Sequence, residues 1–211
     1  MRKNIWNYLA LGLILALGSA APAAAQDLSS FYVTPKIMTS YQKAEMKDGS
    51  ERSSVFGLGF ALGTDLSYST SLPIRAELEY LYHGNESFSG SSNGINYTHD
   101  ISAHSILANA FFDFQTDTAF TPYAGGGLGL GYLKDKASSS AGNMSTTVSR
   151  WNLAWNLGGG VAWGLNENMA LDLGYRYMDL GKTENISFGG RNYNASLTAH
   201  EFGIGLRFMA F

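Results

Sequence analysis

The clearest pattern in the chain is an alternation of large apolar residues with small or charged ones. Residues 169–177 read M-A-L-D-L-G-Y-R-Y. A β-strand points successive side chains to opposite faces, so Leu173 and Tyr175 share one face, and Asp172 and Arg176 share the other. In a soluble antiparallel sheet the apolar face points inward and the polar face meets water. A strand with one strongly apolar face and one charged face is better explained if the apolar face meets lipid and the charged face lines a polar interior. This is the arrangement in a transmembrane β-barrel.

Seven other segments show the same alternation. They lie at residues 31–37, 56–62, 74–82, 106–114, 121–132, 151–163 and 202–208. The fourth of the eight segments, counted along the chain, departs from the rule, because Leu107 and Phe111 stand in the polar phase. With the segment at 169–177, the pattern predicts eight strands.

The connections between these segments alternate in length. Short turns are predicted at residues 67–72, 115–119 and 165–168, and longer polar loops at 42–52, 85–98, 134–148 and 181–195. Short periplasmic turns and longer extracellular loops are typical of bacterial outer-membrane barrels. We therefore predict an all-β fold, an eight-stranded antiparallel up-and-down transmembrane β-barrel with four longer extracellular loops. The loops lack periodicity and apolar content, so we expect them to be mobile.

The N-terminus has the three parts of a secretory signal peptide. Arg2 and Lys3 precede the apolar run Ile5–Leu17, and Ala23–Ala25 forms a small-residue cleavage site. We predict that residues 1–25 are the signal peptide and that residues 26–211 form the barrel domain. A transmembrane anchor is the alternative, but the apolar run is shorter than the roughly 20 residues that a spanning helix needs.

Composition excludes several classes of protein. The formal net charge is −3, and it becomes −5 without Arg2 and Lys3, which leaves no basic patch for nucleic acid. The chain has no cysteine, so it has neither a disulfide framework nor a thiolate metal site.

The polar faces of the predicted strands carry charges of both signs. The residues assigned to the lumen are Lys36, Asp65, Arg75, Glu77, Glu79, Asp113, Asp172, Arg176, Glu201 and Arg207. An isolated buried ion would cost several kcal/mol, so we predict a paired network with trapped water. Inward glycines would leave room for the long Arg and Glu side chains. Because the lumen of an eight-stranded barrel is normally filled by side chains, structural filling is favoured over an ion path.

Aromatic residues gather at the ends of the segments, as in the two interfacial girdles of a membrane barrel. The girdle predicted at the periplasmic interface consists of Phe112, Phe114, Phe120, Trp163 and Phe208. The outer girdle is predicted to consist of Tyr41, Tyr82, Tyr132, Trp151, Tyr175 and Tyr177.

Three phrases carry a resemblance to a known family. They are T-P-Y-A-G-G-G-L-G-L-G-Y at residues 121–132, N-L-G-G-G-V-A-W-G-L-N-E-N-M-A-L-D-L-G-Y-R-Y-M-D-L-G at 156–181, and E-F-G-I-G-L-R-F-M-A-F at 201–211. On these phrases the predicted mature chain resembles the OmpA-like/opacity-protein superfamily of small outer-membrane β-barrel proteins. The resemblance implies a porin-like or opacity-type protein of the bacterial outer membrane, but it does not specify one activity. From the eight alternating segments and the four polar loops on a rigid scaffold we predict a structural and adhesin-like surface role, and we predict that the protein is not an enzyme.

The resemblance also implies partners. It makes Phe211 part of the signal read by the barrel-assembly machinery, which acts with periplasmic chaperones. The implied partners of the assembled barrel are outer-membrane lipid, including lipopolysaccharide, and a host or surface ligand at the loops. Phe208 is out of phase with Phe211, which predicts either a bulge near Met209 or an overhang of residues 210–211.

A catalytic site is the first of two alternatives that the residues raise. Ser102 and His104 would share one face of a strand, and with His99 and Glu201 they offer the residue types of a lipid A deacylase. Nucleophilic catalysis also needs a third group that orients the histidine, and no deacylase motif surrounds these residues. We therefore predict no catalytic site, and a lipid A-modifying enzyme is the less favoured function.

A metal site is the second alternative. His83, His99 and His200 are expected near the extracellular ends of their strands, where a cluster would bind metal or sense pH. Each is predicted to be a solvated rim residue instead, because a metal site needs ligand geometry as well as residue type. No metal or cofactor is therefore predicted. The alternative to a surface role is a narrow pore for ions or small solutes.

Overall fold

The computed structural model describes residues 30–46, 49–92, 95–139, 144–182, 186–188, 191–193 and 196–209. This part of the chain holds ten β-strands and one short helix, α1 (Ser67–Thr70). The strands are β1 (Phe31–Met46), β2 (Gly49–Asp65), β3 (Ile74–Ser92), β4 (Ile95–Asp113), β5 (Phe120–Ser139), β6 (Met144–Asn166), β7 (Met169–Lys182), β8 (Ile186–Phe188), β9 (Arg191–Tyr193) and β10 (Ser196–Met209). No helix among these residues is long and apolar enough to cross a membrane.

Eight of the strands form a closed antiparallel barrel. Its order is β1-β10-β7-β6-β5-β4-β3-β2, and β2 pairs with β1 to complete the ring. The seam between β1 and β10 places Lys36 opposite Gly205 and Tyr41 opposite His200. In lipid every backbone donor and acceptor must be paired within the protein, and closure achieves this because it removes the free edges of the sheet. The prediction of an eight-stranded up-and-down barrel is confirmed.

The two faces of the barrel wall differ as the alternation predicts. Large apolar side chains cover the outside, where Phe56 is 78% exposed and Leu153 is 68% exposed. Polar and charged side chains such as Thr34, Glu79 and Glu201 are fully buried on the inside. Exposed apolar side chains in such number would be unfavourable in water, whereas in a bilayer they contact lipid.

The strands continue well beyond the apolar segments, so the predicted loop boundaries are wrong. The second predicted loop, residues 85–98, is largely strand, because β3 ends only at Ser92 and β4 begins at Ile95. The third is also shorter, since β5 reaches Ser139 and β6 begins at Met144. Outside the membrane both faces of a strand meet water, so the alternation fades although the backbone pairing continues. The expected mobility does not apply to these paired residues.

The last long connection contains structure of its own. Strands β8 and β9 form a separate two-stranded antiparallel sheet, in which Ile186 pairs with Tyr193 and Phe188 with Arg191. This hairpin lies in the connection between the barrel strands β7 and β10. It therefore belongs to the extracellular side, if the barrel has the usual orientation with short turns in the periplasm.

Inward-facing glycines accommodate bulky side chains from neighbouring strands. A Cβ atom built on Gly174 would stand 2.8 Å from the hydroxyl of Tyr123, and one on Gly160 would stand 2.6 Å from the same hydroxyl. A Cβ on Gly203 would overlap the sulfur of Met38. The predicted role of these glycines, to leave room for Arg and Glu, therefore has to be widened to rings and thioethers.

Asp65 has a local role at a periplasmic turn. Its Oδ1 accepts a hydrogen bond from the backbone nitrogen of Ser67 at 2.9 Å, where α1 begins. The alternation predicts Asp65 in the lumen network. Asp65 instead satisfies a free N–H group at the start of the helical turn.

Candidate functional site

The charged network in the lumen begins at Arg75, on the periplasmic half of β3. Its Nε donates to Asp113 Oδ2 at 2.6 Å, and its Nη1 donates to Glu77 Oε1 at 3.2 Å. The hydroxyl of Tyr32 also donates to Glu77 Oε1, at 3.0 Å. Arg75 is thus held by two carboxylates from β3 and β4, and both carboxylates are charge-balanced at short range.

The network continues through Lys36 to the opposite wall. Lys36 Nζ bridges Glu77 and Glu79 at 2.7 and 2.8 Å. Arg176 then donates through Nη1 to Glu79 at 2.6 Å and through Nε to Glu201 at 2.7 Å. Seven charged residues, from Asp113 to Glu201, therefore form one continuous chain of ion pairs between strands that are distant in sequence.

A separate pair completes the charged set. Arg207 donates two hydrogen bonds to Asp172, from Nε at 3.1 Å and from Nη2 at 2.5 Å. The guanidinium also lies 5.1 Å from the centre of the Tyr32 ring, within the range of a cation–π contact. The structure thus places all nine of the other assigned charges in the lumen, seven in one chain and two in a bidentate pair.

The charges nearly balance, and small voids remain between them. Five carboxylates face four permanently charged cations. Arg75 Nη2 and Arg176 Nη2 have no hydrogen-bond partner among the residues described. Both arginines line a cavity of about 70 Å³ that Glu79 and Gly174 also border. This volume accommodates several water molecules, and we expect water to satisfy these donors.

His83 closes the extracellular end of the network. The side chain is fully buried, with Nδ1 at 2.8 Å from Glu201 Oε1 and Nε2 at 2.9 Å from Ser105 Oγ. Ser40 donates to the same carboxylate oxygen at 2.6 Å. The expectation of a solvated rim residue is wrong for His83. On β3 it has the same phase as Glu77 and Glu79, so the alternation could have placed it in the lumen.

Ser105, His83 and Glu201 have the hydrogen-bond order of a serine-histidine-carboxylate triad. A working triad also needs an accessible hydroxyl and donors for an oxyanion. Ser105 is only 2% exposed, and it lies inside a barrel wall whose backbone is paired on both sides. These hydrogen bonds therefore link β3, β4 and β10 inside the barrel.

The catalytic set considered from sequence is not brought together. Ser102 and His104 are on the outer face of β4, because the intervening Ala103 and the following Ser105 are buried inside. Glu201 points into the lumen from β10, on the far side of the wall. The side chain of His99 lies outside the part of the chain that is described.

An apolar layer fills the lumen above the charged network. The cluster consists of Ala103, Leu107, Leu133, Ala154, Met178, Leu180, Leu197 and Ala199, contributed by β4, β5, β6, β7 and β10. Met178 and Leu180 follow Arg176 on the inner face of β7, so the layer lies towards the extracellular end. Leu81 is fully buried on β3. The alternation does not predict this layer, although Leu107 in the polar phase is a signal of it.

Comparison with known proteins identifies the class of barrel. A family described as the outer membrane protein beta-barrel domain matches residues 11–208. The chain belongs to this family. It is therefore a β-barrel protein of the bacterial outer membrane, as the sequence analysis predicted.

Two relatives in other bacteria are similar over most of the chain. The chain is 28% identical over 207 residues to the outer membrane protein PagN of Salmonella typhimurium, with 85% of each chain covered. It is 26% identical over 186 residues to a putative adhesin of Rickettsia conorii, covering 79% of this chain and 70% of the adhesin.

Solved structures share the fold of this outer-membrane barrel. Neisserial surface protein A aligns with a TM-score of 0.59 and 23% identity, over 85% of this chain and 97% of that one. Ail, the attachment invasion locus protein of Yersinia pestis, aligns with a TM-score of 0.53 and 17% identity, over 85% and 99%. At these identities the likeness establishes the fold alone.

Aromatic pairs mark both ends of the apolar band. At the periplasmic end the rings of Phe120 and Trp163 stack with centres 5.8 Å apart. Towards the extracellular end, Tyr132 and Trp151 lie 5.0 Å apart. Such rings are favoured at both membrane interfaces, where an apolar body and a polar edge are useful together.

The three histidines considered as metal ligands do not converge where they are described. His83 points inward from β3, whereas His200 is exposed on the outside of β10. In the described ranges there is no group of three His, Cys, Asp or Glu side chains placed to hold a metal ion. His99 again falls among the side chains that are not described.

Phe211 lies beyond the described residues, since β10 ends at Met209. Met209 pairs with Tyr32 and Phe208 with Val33, and this register continues without a shift from Lys36 and Gly205. A bulge up to Met209 is therefore excluded as the cause of the phase difference between Phe208 and Phe211.

Proposed function

We propose that this outer-membrane barrel is a surface-interaction protein of the adhesin type. The observation that carries the proposal is the combination of a filled lumen with strands that extend beyond the apolar band on the extracellular side. A closed lumen supports neither transport nor catalysis inside the barrel, so the extracellular face is left as the functional surface. The relation to PagN and to putative adhesins supports the same role.

The charge of the extracellular connections indicates the kind of ligand. The four polar stretches at residues 42–52, 85–98, 134–148 and 181–195 contain seven basic and six acidic side chains. A nearly neutral surface has little long-range electrostatic attraction for a polyanion. We propose that a host or bacterial surface ligand is recognised by short-range contacts instead.

Adhesion by a non-adherent laboratory bacterium that displays this barrel tests the proposed role. Four variants, each with one long connection replaced by a short turn, are compared with the intact chain. We expect the intact chain to increase binding to host cells and at least one trimmed variant to lose the gain. Each variant is first shown to fold by its heat-modifiable migration, the difference in gel mobility between folded and boiled barrel. Adhesion no higher than that of the vector strain, or equal in all four variants, would contradict the proposal.

The narrow pore has less support than the surface role. Ions would have to cross the layer around Leu107, Leu133 and Met178, whose side chains are at most 2% exposed. An apolar constriction of this kind opposes ion passage because it offers no polar partner. Planar-bilayer recordings of the purified barrel are expected to give no conductance above background, and discrete channel events would restore the pore as the function.

A lipid A-modifying activity is also not proposed. The triad-like set at Ser105 is enclosed by the barrel wall, and Ser102 and His104 are separated from Glu201 by that wall. A strain from which the protein is deleted should therefore keep an unchanged lipid A profile by mass spectrometry. A deletion strain that gains acyl chains on lipid A would show that a deacylase was lost.

We propose that residues 1–25 are removed on export and that Phe211 promotes assembly by the barrel-assembly machinery. N-terminal sequencing of protein from the outer membrane should begin at Gln26. Deletion of Phe211 should lower the amount of heat-modifiable barrel in that membrane, while deletion of an exposed residue such as Lys182 should not. Equal amounts in both variants would contradict the role of Phe211.

A further inference from the structure

The outer wall formed by β4, β5 and β6 carries an aromatic row near its extracellular end. His104, Tyr132 and Trp151 are cross-strand neighbours there. The ring of His104 lies 6.3 Å from that of Tyr132, which in turn lies 5.0 Å from that of Trp151. Tyr82 completes the row on β3, with its ring 4.9 Å from His104. These rings lie on the outside of the wall, at the level predicted for the outer girdle.

The next row on the same wall is polar and positively charged. Lys134 follows Tyr132 by two residues on β5, so it lies on the same face, and it is exposed. Its cross-strand neighbours are Ser102 on β4 and Ser149 on β6. A lysine flanked by two hydroxyl-bearing residues is suited to an anionic oxygen group, since all three side chains can donate hydrogen bonds.

A groove continues from this row towards the middle of the bilayer. It has a volume of about 260 Å³ and is lined by Tyr80, His104, Ser105, Ile106, Tyr132 and Trp151. Its walls are almost entirely rings and an aliphatic side chain. This part of the wall therefore changes from cationic to aromatic to aliphatic over three successive rows.

His104 stands where the polar and apolar rows meet. The hydroxyl of Tyr80 is 2.9 Å from Nδ1, which fixes the orientation of the imidazole. For Nε2, no hydrogen-bond partner is found in the described portion of the protein. The ring can therefore present Nε2 to a polar group at the mouth of the groove.

We propose that this groove is a binding site for a phosphorylated glycolipid of the outer leaflet. One acyl chain would lie along Ile106 and Trp151, and a phosphate would lie among Lys134, Ser102 and the Nε2 atom of His104. The order of the three rows matches the order of such a lipid, from anionic headgroup to hydrocarbon. A basic residue near a membrane surface attracts anionic lipid. On the outer face of this wall, the nearest carboxylate in the ladder is Asp100, one row farther out and opposite Lys136, while the adjoining Asp135 is buried on the inner face.

The opposite wall of the barrel provides a built-in control. His200 there is also surrounded by tyrosines, with the hydroxyl of Tyr175 at 2.7 Å from Nδ1 and the ring of Tyr177 at 5.4 Å. The row above it also contains a lysine, Lys43 opposite Thr198, but there the carboxylate of Asp179 is opposite the same Thr198 on its other side. A carboxylate in the same row offsets the positive charge and disfavours phosphate, so the site is assigned to the wall of His104, where the row of Lys134 has hydroxyl neighbours only on β4 and β6.

Lipid binding to the purified full-length barrel tests the site. The probes are lipopolysaccharide, the same lipid after removal of its lipid A phosphates, and phosphatidylglycerol, each titrated against the barrel in nanodiscs of neutral lipid. Native mass spectrometry or thermophoresis gives the dissociation constants. We expect phosphorylated lipopolysaccharide to bind more tightly than both other probes.

Substitutions test which residues bind the lipid. A folding control distinguishes the loss of a charge from the loss of the folded barrel. Lys134→Ala should weaken binding of lipopolysaccharide about five-fold and Lys134→Glu about twenty-fold or more, while Lys134→Arg should restore it. His104→Ala should weaken binding, and His200→Ala should not. Heat-modifiable migration confirms that each variant is folded. The proposal is overturned if Lys134→Glu binds as the unsubstituted protein does, if His200→Ala is as damaging as His104→Ala, or if phosphatidylglycerol binds as tightly as the glycolipid.

Discussion

The two halves of the lumen are closed by different interactions. In the periplasmic half, seven charged side chains form a chain of ion pairs whose ends are Asp113 and Glu201. In the extracellular half, Leu, Met and Ala side chains pack against one another with almost no exposure. Ion pairs are directional, and an unpaired member is costly when buried, whereas apolar contacts tolerate small changes of shape. The lower half therefore specifies which strands meet, and the upper half keeps water away.

The two halves also support each other. Because the apolar layer limits access of water from the extracellular side, it lowers the local dielectric constant and strengthens the ion pairs beneath it. His83 is at the boundary, where it joins Glu201 of the network to Ser105, which lies between the rungs of Leu107 and Leu133. Substitutions in the two halves should therefore differ in size and in kind.

The largest effect is expected in the charged half. Arg176→Ala leaves Glu79 and Glu201 buried without their common partner, which should lower the free energy of unfolding by about 3–5 kcal/mol. Urea unfolding in detergent micelles, followed by tryptophan fluorescence, measures this change. Lys182→Ala, at an exposed position of the same strand, is the matched control and should have no effect. A loss below 1 kcal/mol for Arg176→Ala would mean that water already screens these charges.

A cavity in the apolar half should have a slightly smaller effect. Leu107→Ala removes a fully buried side chain from the layer, where Leu107 is the cross-strand neighbour of Glu79, and about 3 kcal/mol of stability should be lost. The same unfolding measurement applies, with Leu107→Met as the volume-conserving control. Because the charges below remain paired, the barrel should stay non-conducting in planar bilayers. Conductance in Leu107→Ala would show that the layer alone seals the lumen.

A charged substitution on the outer wall tests which face of β7 meets the lipid. Leu173 is half-exposed on the lipid-facing side of β7, between the inward Asp172 and Gly174. Leu173→Arg should destabilise the barrel by about 2–4 kcal/mol, since arginine at mid-bilayer depth loses its hydration. Leu173→Phe, which remains compatible with lipid, should be nearly neutral. Equal stability of the two variants in lipid vesicles would show that this position does not face the membrane.

The smallest effect is expected at the boundary of the two halves. Ser105→Ala removes the hydrogen-bond partner of His83 Nε2 and should lower stability by about 1–2 kcal/mol. A fluorophosphonate reagent, which labels activated serines, should not modify the folded barrel. Labelling that disappears in Ser105→Ala would instead indicate a reactive serine, and the triad-like geometry would then need a functional explanation.

The wall of this barrel could be predicted from sequence more fully than its interior. In the membrane each strand must place apolar residues outside, and this requirement repeats with period two, so Leu153 and Trp155 are recognisable one segment at a time. The inner positions obey no such rule, because either a paired charge or a packed leucine fills space. Which of them occurs depends on the side chains opposite, and strand register brings those together from distant parts of the chain.

His83 and Asp65 show two further limits. His83 was assigned to the rim because β3 was predicted to end near it, although the strand continues to Ser92. Asp65 has the phase of the lumen charges, but the adjoining turn offers a free N–H group at Ser67 that its side chain accepts. Polar strands outside the membrane and local turn contacts both lack the periodic signal on which the assignments rested.

The length of β6 has a consequence for the cell surface. With 23 residues, a rise of about 3.3 Å per residue and a tilt of about 40°, it spans roughly 55–60 Å along the barrel axis. An apolar band of about 25 Å accounts for less than half of that height. The hairpin of β5 and β6 therefore stands on the order of 20–30 Å above the membrane as paired sheet. A ligand that contacts the paired strands near Ser139 and Met144 meets backbone that is already ordered well above the membrane, so little chain entropy has to be lost on contact.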